Sequence, residues 1–257
     1  ARSFTKLRAC SLMKCYTIRG GSMRKIAFFL RVFENEQYMN DFLDGKIYMN
    51  RLSYFSALEG DEEDNRADPR EALAAIWQPK DVTIEVNGRV LTSIAGPIES
   101  RQIKNTHLHL FCLFTGATSE SHLLNPADNR QAMQADFNVP EECANLGEYY
   151  VVIHNTQKFI DRMVAAIRKA GYEDSAKAGM VKYYDPESFT GEFGDRAAFS
   201  KTKNFSHQKE YRFVVDTKTE DEAPLILDIG EIRDIAHISD TWDVKVNIEI
   251  IHGEKIV

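Results

Sequence analysis

The sequence lacks the features that mark several common protein classes. No window approaches the roughly 18 consecutive apolar residues of a membrane-spanning helix, and the longest apolar runs are short and strand-like, such as residues 107–114. The glycine-rich phosphate-binding motifs, the H-E-x-x-H zinc motif, the G-x-S-x-G nucleophile motif and the protein-kinase signatures are all missing. We expect no membrane span, and the function has to be inferred from individual residues on predicted strands.

Cysteine is also scarce. The four cysteines are Cys10, Cys15, Cys112 and Cys143, and their spacing fits neither a disulfide framework nor a zinc site. We therefore expect a cytoplasmic protein in a reducing compartment and predict no metal ligands.

Charge is distributed unevenly along the chain. The net charge is −7, yet residues 1–22 contain five basic and no acidic residues and end in Gly-Gly-Ser before Met23. We expect this segment to be a vector-derived or disordered leader; the alternative is a basic arm that contacts nucleic acid or a partner. Residues 23–257 carry a net charge of −12 and are predicted to form a single domain.

The order of the predicted elements favours an α+β fold with a mixed or antiparallel sheet and a few helices. Two alternating runs flank Asn87-Gly88 within residues 82–94, which predicts a type I′ hairpin. Helices are predicted over residues 35–45 and 155–171, each ending at a glycine. Strands are predicted at residues 25–33, 46–50, 107–114, 148–154, 180–184, 209–215, 223–230 and 246–253.

The predicted strand 209–215 has two unlike faces. Side chains alternate along a strand, so Tyr211, Phe213 and Val215 share an apolar face. Glu210 and Arg212 open the opposite face, where an acid and a base stand side by side. Such a pair is often an exposed ion pair of little energetic value, but it could also face a binding cleft.

A second charged group follows an acidic stretch. Residues 59–71 read EGDEEDNRADPRE, and a solvated acidic loop is the ordinary explanation for most of them. Asp68 precedes a proline, which is typical of a helix N-cap. We therefore expect a helix to begin here, with Asp68 as its cap.

These motifs together resemble a bacterial, often defence-associated protein family, and beyond it the ADP-ribosyltransferases that modify nucleic acid. The matching segments are LRVF (30–33), FLDGKIYMNRLSYF (42–55), RADPRE (66–71) and HQKEYRFVV (207–215). They are short and spread over most of residues 28–215. Gln208 departs from the pattern, because the family often has an acid at that position.

The resemblance implies an ADP-ribosyltransferase-like fold, NAD as co-substrate and a role as a toxin or effector in anti-phage defence. The implied acceptor is a nucleic acid, with RNA favoured over DNA, and an antitoxin protein is a candidate partner. The catalytic residues that the resemblance implies are Arg31, Tyr48 and Glu210, with Ser53 as the alternative to Tyr48. Contacts to NAD are expected from Arg31, Tyr48, Asn50, Ser53, Tyr54, Phe55 and Arg66, and contacts to the acceptor from Lys203, Phe205 and Arg212.

Two other interpretations stay open. A metal-dependent nuclease would use the acids at 61–64 together with Asp68 and Glu71, and its activity would need Mg²⁺ and ignore NAD. A non-catalytic interaction module of a defence operon would bind no NAD and would present a large exposed apolar patch.

Overall fold

The structure, a computed structural model, describes residues 14–15, 24–57, 68–125 and 128–246. In these residues the fold is α+β, with largely antiparallel sheets and few helices, as the sequence predicts. No helix among them is long and apolar enough to cross a membrane. Most of the predicted leader, and the predicted strand 246–253 beyond Val246, lie outside the described residues.

The strands follow one another in this order: β1 (Lys14–Cys15), β2 (Arg24–Phe33), β3 (Lys46–Arg51), β4 (Leu73–Trp77), β5 (Glu85–Val86), β6 (Arg89–Val90), β7 (Ile98–Arg101), β8 (His109–Ser119), β9 (Tyr149–Ile153), β10 (Ala176–Met180), β11 (Lys182–Tyr184), β12 (Gly191–Glu192), β13 (Ser200–Thr202), β14 (Glu210–Val215), β15 (Leu225–Asp228) and β16 (Ala236–Ser239).

The α-helices are α1 (Glu36–Leu43), α2 (Leu52–Ala57), α3 (Ile103–Thr106), α4 (Glu120–Leu124), α5 (Arg130–Phe137) and α6 (Thr156–Lys169). Short 3-10 helices cover Pro79–Asp81, Glu141–Leu146, Glu173–Ser175, Gly194–Phe199 and Lys203–Gln208.

One large sheet organises the molecule. Its strands lie in the order β1-β10-β14-β8-β2-β9-β16, while β3 pairs with both β8 and β15. Neighbours are antiparallel except β1 and β10, which are parallel. Strand β14, which carries Glu210 and Arg212, therefore lies inside the sheet, between β10 and β8.

The main core covers one face of this sheet. Helices α1 and α6 pack their apolar sides there, with Phe42 and Phe159 in ring contact at 6.1 Å between centroids. Asn35 and Asn155 cap the two helices, each accepting a hydrogen bond from a backbone N–H three residues later. Phe213 of β14 is fully buried in the same core, so the predicted apolar face of this strand is confirmed.

The predicted hairpin is confirmed, whereas the predicted helix after Asp68 is wrong. Asn87 and Gly88 both have positive φ, 49° and 77°, as a type I′ turn requires. After Asp68 the chain makes a turn in which the Asp68 carboxylate accepts from the N–H of Arg70 at 2.9 Å. Ala72 then adopts φ 54°, a left-handed conformation that cannot continue a helix, and strand β4 follows.

Gly45 offers a test of the fold itself. It has φ 98°, and a Cβ at this position would overlap the backbone of Gly230. We expect Gly45→Ala to lower the free energy of unfolding by about 3 kcal/mol, measured by urea unfolding. Gly96→Ala is the matched control, because a Cβ there meets open space, and its effect is expected to stay within about 0.5 kcal/mol. Equal effects of the two variants would contradict the turn geometry.

Candidate active site

A cleft opens where two strands of the main sheet separate. β2 pairs with β8 only as far as Leu30, opposite Phe114, whereas β3 pairs with the beginning of β8 at Asn50 and Arg51. Among the described strands none pairs with residues 111–113 along this edge of β8. The gap widens into a cleft of about 750 Å³, a size that suits a small-molecule ligand.

Aromatic side chains form much of the cleft wall. Tyr48 on β3 and Tyr54 on α2 are 53% and 50% exposed although both line the cleft. Ile226 on β15 is the cross-strand neighbour of Tyr48 and also lines the cleft. Tyr48, Tyr54 and Ile226 together form the exposed rim of the cleft. Exposed rings at a cleft mouth can stack on a flat heterocycle. The other aromatic residues of the lining are Phe33, Tyr38, Phe42, Phe55, Phe111 and Phe114.

A buried ionic cluster forms the polar end of the cleft. It consists of Glu71, Lys201, Glu210 and Arg212, of which the most exposed is only 7% accessible. The Nε of Arg212 donates to Glu210 at 2.7 Å, and its Nη1 donates to Glu71 at 2.6 Å. Lys201 Nζ donates to the other oxygen of Glu210 at 3.0 Å. The two acids and two bases balance, as a group removed from water requires.

The cluster determines the ionisation of Glu210. Burial alone would raise the pKa of this carboxyl group, but Arg212 and Lys201 outweigh burial and hold the pKa well below its ordinary value of 4.5. The pKa of Lys201 shifts upward. Burial alone would lower it by disfavouring the charged form, but the charges of Glu210 and Glu71 raise it above the ordinary value. Glu210 is therefore a fixed negative charge at neutral pH rather than a proton donor.

Cys112 also lines the cleft, but it is not an activated nucleophile. Burial, followed by the charge of Glu210, raises the pKa of its thiol to about 12. A cysteine nucleophile needs a depressed pKa to form the thiolate. The thiol of Cys112 therefore stays protonated at neutral pH.

Arg31 occupies the gap between the separated strands. Its Nη1 donates to the carbonyl oxygen of Cys112 at 2.6 Å, and its guanidinium group lies 5.1 Å from the ring centre of Phe111. The side chain lines the cleft from β2, an internal strand of the main sheet. A guanidinium group in this position can donate to a phosphate or a carboxylate.

The structure brings together most, but not all, of the residues predicted to bind NAD. Arg31, Tyr48, Asn50, Tyr54 and Phe55 line the cleft together with Glu210. Ser53 is adjacent in sequence but is not part of the lining. The predicted contact at position 66 lies outside the described residues.

The residues predicted to bind an acceptor are placed differently. Lys203 and Phe205 belong to a 3-10 helix and do not line the cleft. The Phe205 ring lies 4.5 Å from Lys201 Nζ and so packs against the ionic cluster. Arg212 does line the cleft, but it is 2% exposed and its donors are used by Glu210, Glu71 and the Ala198 carbonyl. We therefore assign Arg212 to holding Glu210 rather than to contacting an acceptor.

Lys201 was not foreseen from the sequence. It lies in the three-residue strand β13, within a locally basic, polar stretch that gives no sign of burial. Glu71 was singled out only as a candidate metal ligand, and its carboxylate instead accepts two bonds from Arg212. Only the pairing of these distant segments in three dimensions could reveal the cluster.

Of the acids proposed for a metal-dependent nuclease, only Asp68 and Glu71 lie in the described part of the chain. No three His, Cys, Asp or Glu side chains there are grouped as metal ligands. Glu71 is engaged with Arg212, Asp68 with the backbone of Arg70, and residues 61–64 lie outside the described residues.

No protein-family model matches this chain, and neither a curated protein sequence nor a solved structure matches it significantly. The function is therefore argued from the chemistry of the cleft.

Proposed function

We propose that the protein is an NAD-dependent ADP-ribosyltransferase with an ADP-ribosyltransferase-like fold, whose active site is the cleft between β2 and β3. One observation carries the proposal. Residues from three separate strands, Arg31, Tyr48 and Glu210, line one cleft of about 750 Å³, and they are the three catalytic residues that the resemblance implies.

The chemistry requires a fixed anion near the ribose. The bond between nicotinamide and ribose C1′ breaks, and neutral nicotinamide leaves with the bonding electrons. The ribose then carries positive charge, as in glycoside hydrolysis. A preorganised carboxylate stabilises this charge without having to reorient, and Glu210 is ionised and held by two cations. The acceptor's lone pair forms the new bond to C1′, and its proton passes to solvent.

Glu210 retains the capacity to bind a ribose hydroxyl. An ionised carboxylate has about four acceptor sites, and Lys201 and Arg212 each donate one bond to it. A hydroxyl reaching Glu210 from the cleft would add a bond without displacing either cation. Arg31 is the candidate contact for the diphosphate, and the rim tyrosines are candidates for stacking on nicotinamide or adenine.

NAD binding is the first test of this proposal. We expect one NAD per chain in a calorimetric titration at neutral pH, with and without Mg²⁺. The same protein should release nicotinamide from NAD, detected by chromatography. A chain that is folded but neither binds NAD nor releases nicotinamide would favour the interaction module, for which the exposed rim of Tyr48, Tyr54 and Ile226 would be the docking patch.

Tyr48→Ala should weaken NAD binding selectively. Stacking on an aromatic ring contributes about 1–3 kcal/mol per base, so we expect Kd for NAD to rise about tenfold or more. Tyr48 is 53% exposed, and its removal should leave the unfolding free energy almost unchanged. Ile238→Ala is the control, because Ile238 is 52% exposed on β16 and does not line the cleft. An unchanged Kd for Tyr48→Ala would show that Tyr48 does not contribute to NAD binding.

The acceptor class rests on the resemblance. RNA is the favoured acceptor, DNA the next, and an anti-phage role with an antitoxin partner belongs to the same proposal. The negative charge of residues 23–257 argues against a large electropositive binding face, so only a short single-stranded segment is expected to enter the cleft. Stacking and a few phosphate contacts would be enough for such a segment.

A further inference from the structure

We infer that Glu71 and Lys201 are positioning residues that hold the Arg212–Glu210 pair in one orientation at the cleft. This inference rests on the proposed function, which assigns the role in the reaction to Glu210. Neither residue lies on the strands that carry the predicted catalytic side chains. Glu71 belongs to the turn before β4, and Lys201 belongs to β13 outside the main sheet.

Glu71 fixes the guanidinium plane of Arg212. Nη1 donates to Glu71 Oε1 at 2.6 Å and to the Ala198 carbonyl at 2.8 Å, while Nη2 donates to Glu71 Oε2 at 3.3 Å. Two parallel bonds to one carboxylate define the plane of a guanidinium group. The Nε–H of Arg212 can then point only toward Glu210, which accepts it at 2.7 Å.

Lys201 holds Glu210 from the other side. Its Nζ lies 3.0 Å from Glu210 Oε1, 2.8 Å from Gln208 Oε1 and 3.8 Å from Glu71 Oε2. Each Glu210 oxygen is thus bound by a different cation, which prevents the carboxylate from rotating. Phe205 covers the ammonium group at 4.5 Å and shields this contact from water.

Stability alone does not account for four buried charges. Glu210 and Arg212 already balance each other, and burying a second ion pair adds a desolvation cost that apolar residues of similar volume would avoid. What the second pair adds is a fixed direction for the first. A carboxylate that must face developing positive charge gains from being fixed before the reaction begins.

A charge-matched double variant separates positioning from stability. Glu71→Gln together with Lys201→Met removes one anion and one cation, so Glu210 and Arg212 remain as a balanced pair. We expect the double variant to stay folded, with kcat for nicotinamide release about 10²-fold lower and KM for NAD within about threefold. The matched control is Lys158→Met with Asp234→Asn, which removes an exposed ion pair between α6 and the segment before β16 and should leave both constants unchanged.

A second measurement does not depend on the reaction. The Nε–H of Arg212 should give a slowly exchanging NMR signal in the wild-type protein, and exchange should be about tenfold or more faster in the double variant. Wild-type exchange in the double variant, or an unchanged kcat, would overturn the inference. If wild-type protein leaves NAD intact, the proposed function fails, and the exchange rate alone still decides whether Glu71 and Lys201 orient the pair.

Discussion

Replacing Glu210 with glutamine is expected to slow nicotinamide release from NAD by about 10²–10³-fold, because a neutral amide cannot stabilise the positive charge that develops on the ribose. The amide keeps nearly the same shape, so KM for NAD should change little. The measurement is the initial rate of nicotinamide release at saturating NAD, compared between wild type and Glu210→Gln.

The same substitution also has a structural cost. It leaves Lys201 and Arg212 with Glu71 as their only ionised partner, and one unpaired buried charge costs about 3–5 kcal/mol. Rates must therefore be compared at a temperature at which near-ultraviolet circular dichroism finds both proteins folded. Glu173→Gln, which removes a carboxylate from the ion pair with Arg168 outside the cleft, is the control. A folded Glu210→Gln protein with the wild-type rate would contradict the assignment of Glu210.

Arg212→Met should lower the free energy of unfolding by about 3–5 kcal/mol at pH 7. It leaves the buried carboxylates of Glu71 and Glu210 with Lys201 as their only cation. Arg212→Lys keeps the charge but not the planar fork, so we expect an intermediate loss. Denaturant unfolding of the three proteins measures both effects.

The difference in unfolding free energy between wild type and Arg212→Met should become smaller at acidic pH. In the wild type the folded-state pKa of Glu210 is depressed, so its contribution to stability is complete above the ordinary pKa of 4.5 and declines as the pH falls below it. In the variant, two carboxylates share one cation, and protonating one of them relieves their repulsion. The difference in unfolding free energy should therefore narrow between pH 7 and about pH 4. A difference that does not depend on pH would mean that Arg212 acts through packing alone.

Short apolar runs, alternation and turn chemistry made much of the fold predictable. Apolar runs predicted β2, β8 and β9, alternation predicted β14, and Asn87-Gly88 predicted the hairpin turn, because these signals depend only on neighbouring residues. The helix predicted after Asp68 was wrong for a tertiary reason. The chain there turns into β4, which is fixed by pairing with β7 and β12.

The candidate site was predictable in part. Glu210 and Arg212 were recognisable because charge stood on the second face of an otherwise apolar strand. The roles of Lys201 and Glu71 were not, since each comes from a separate short segment with polar neighbours, and burial there results only from the assembled fold. The gap along β8 between β2 and β3 depends on which strands pair, and no local pattern encodes that choice.

The most direct test of the central claim uses NAD with one label on nicotinamide and another on the adenylate phosphate. In separate reactions, wild-type protein and this NAD are incubated together with RNA, with DNA or with protein from a cell lysate. The account predicts that nicotinamide label is released and that an equal amount of phosphate label becomes bound to one macromolecule, RNA being favoured, with no requirement for Mg²⁺. Intact NAD, together with RNA that is shortened only when Mg²⁺ is present, would contradict the account and favour the nuclease.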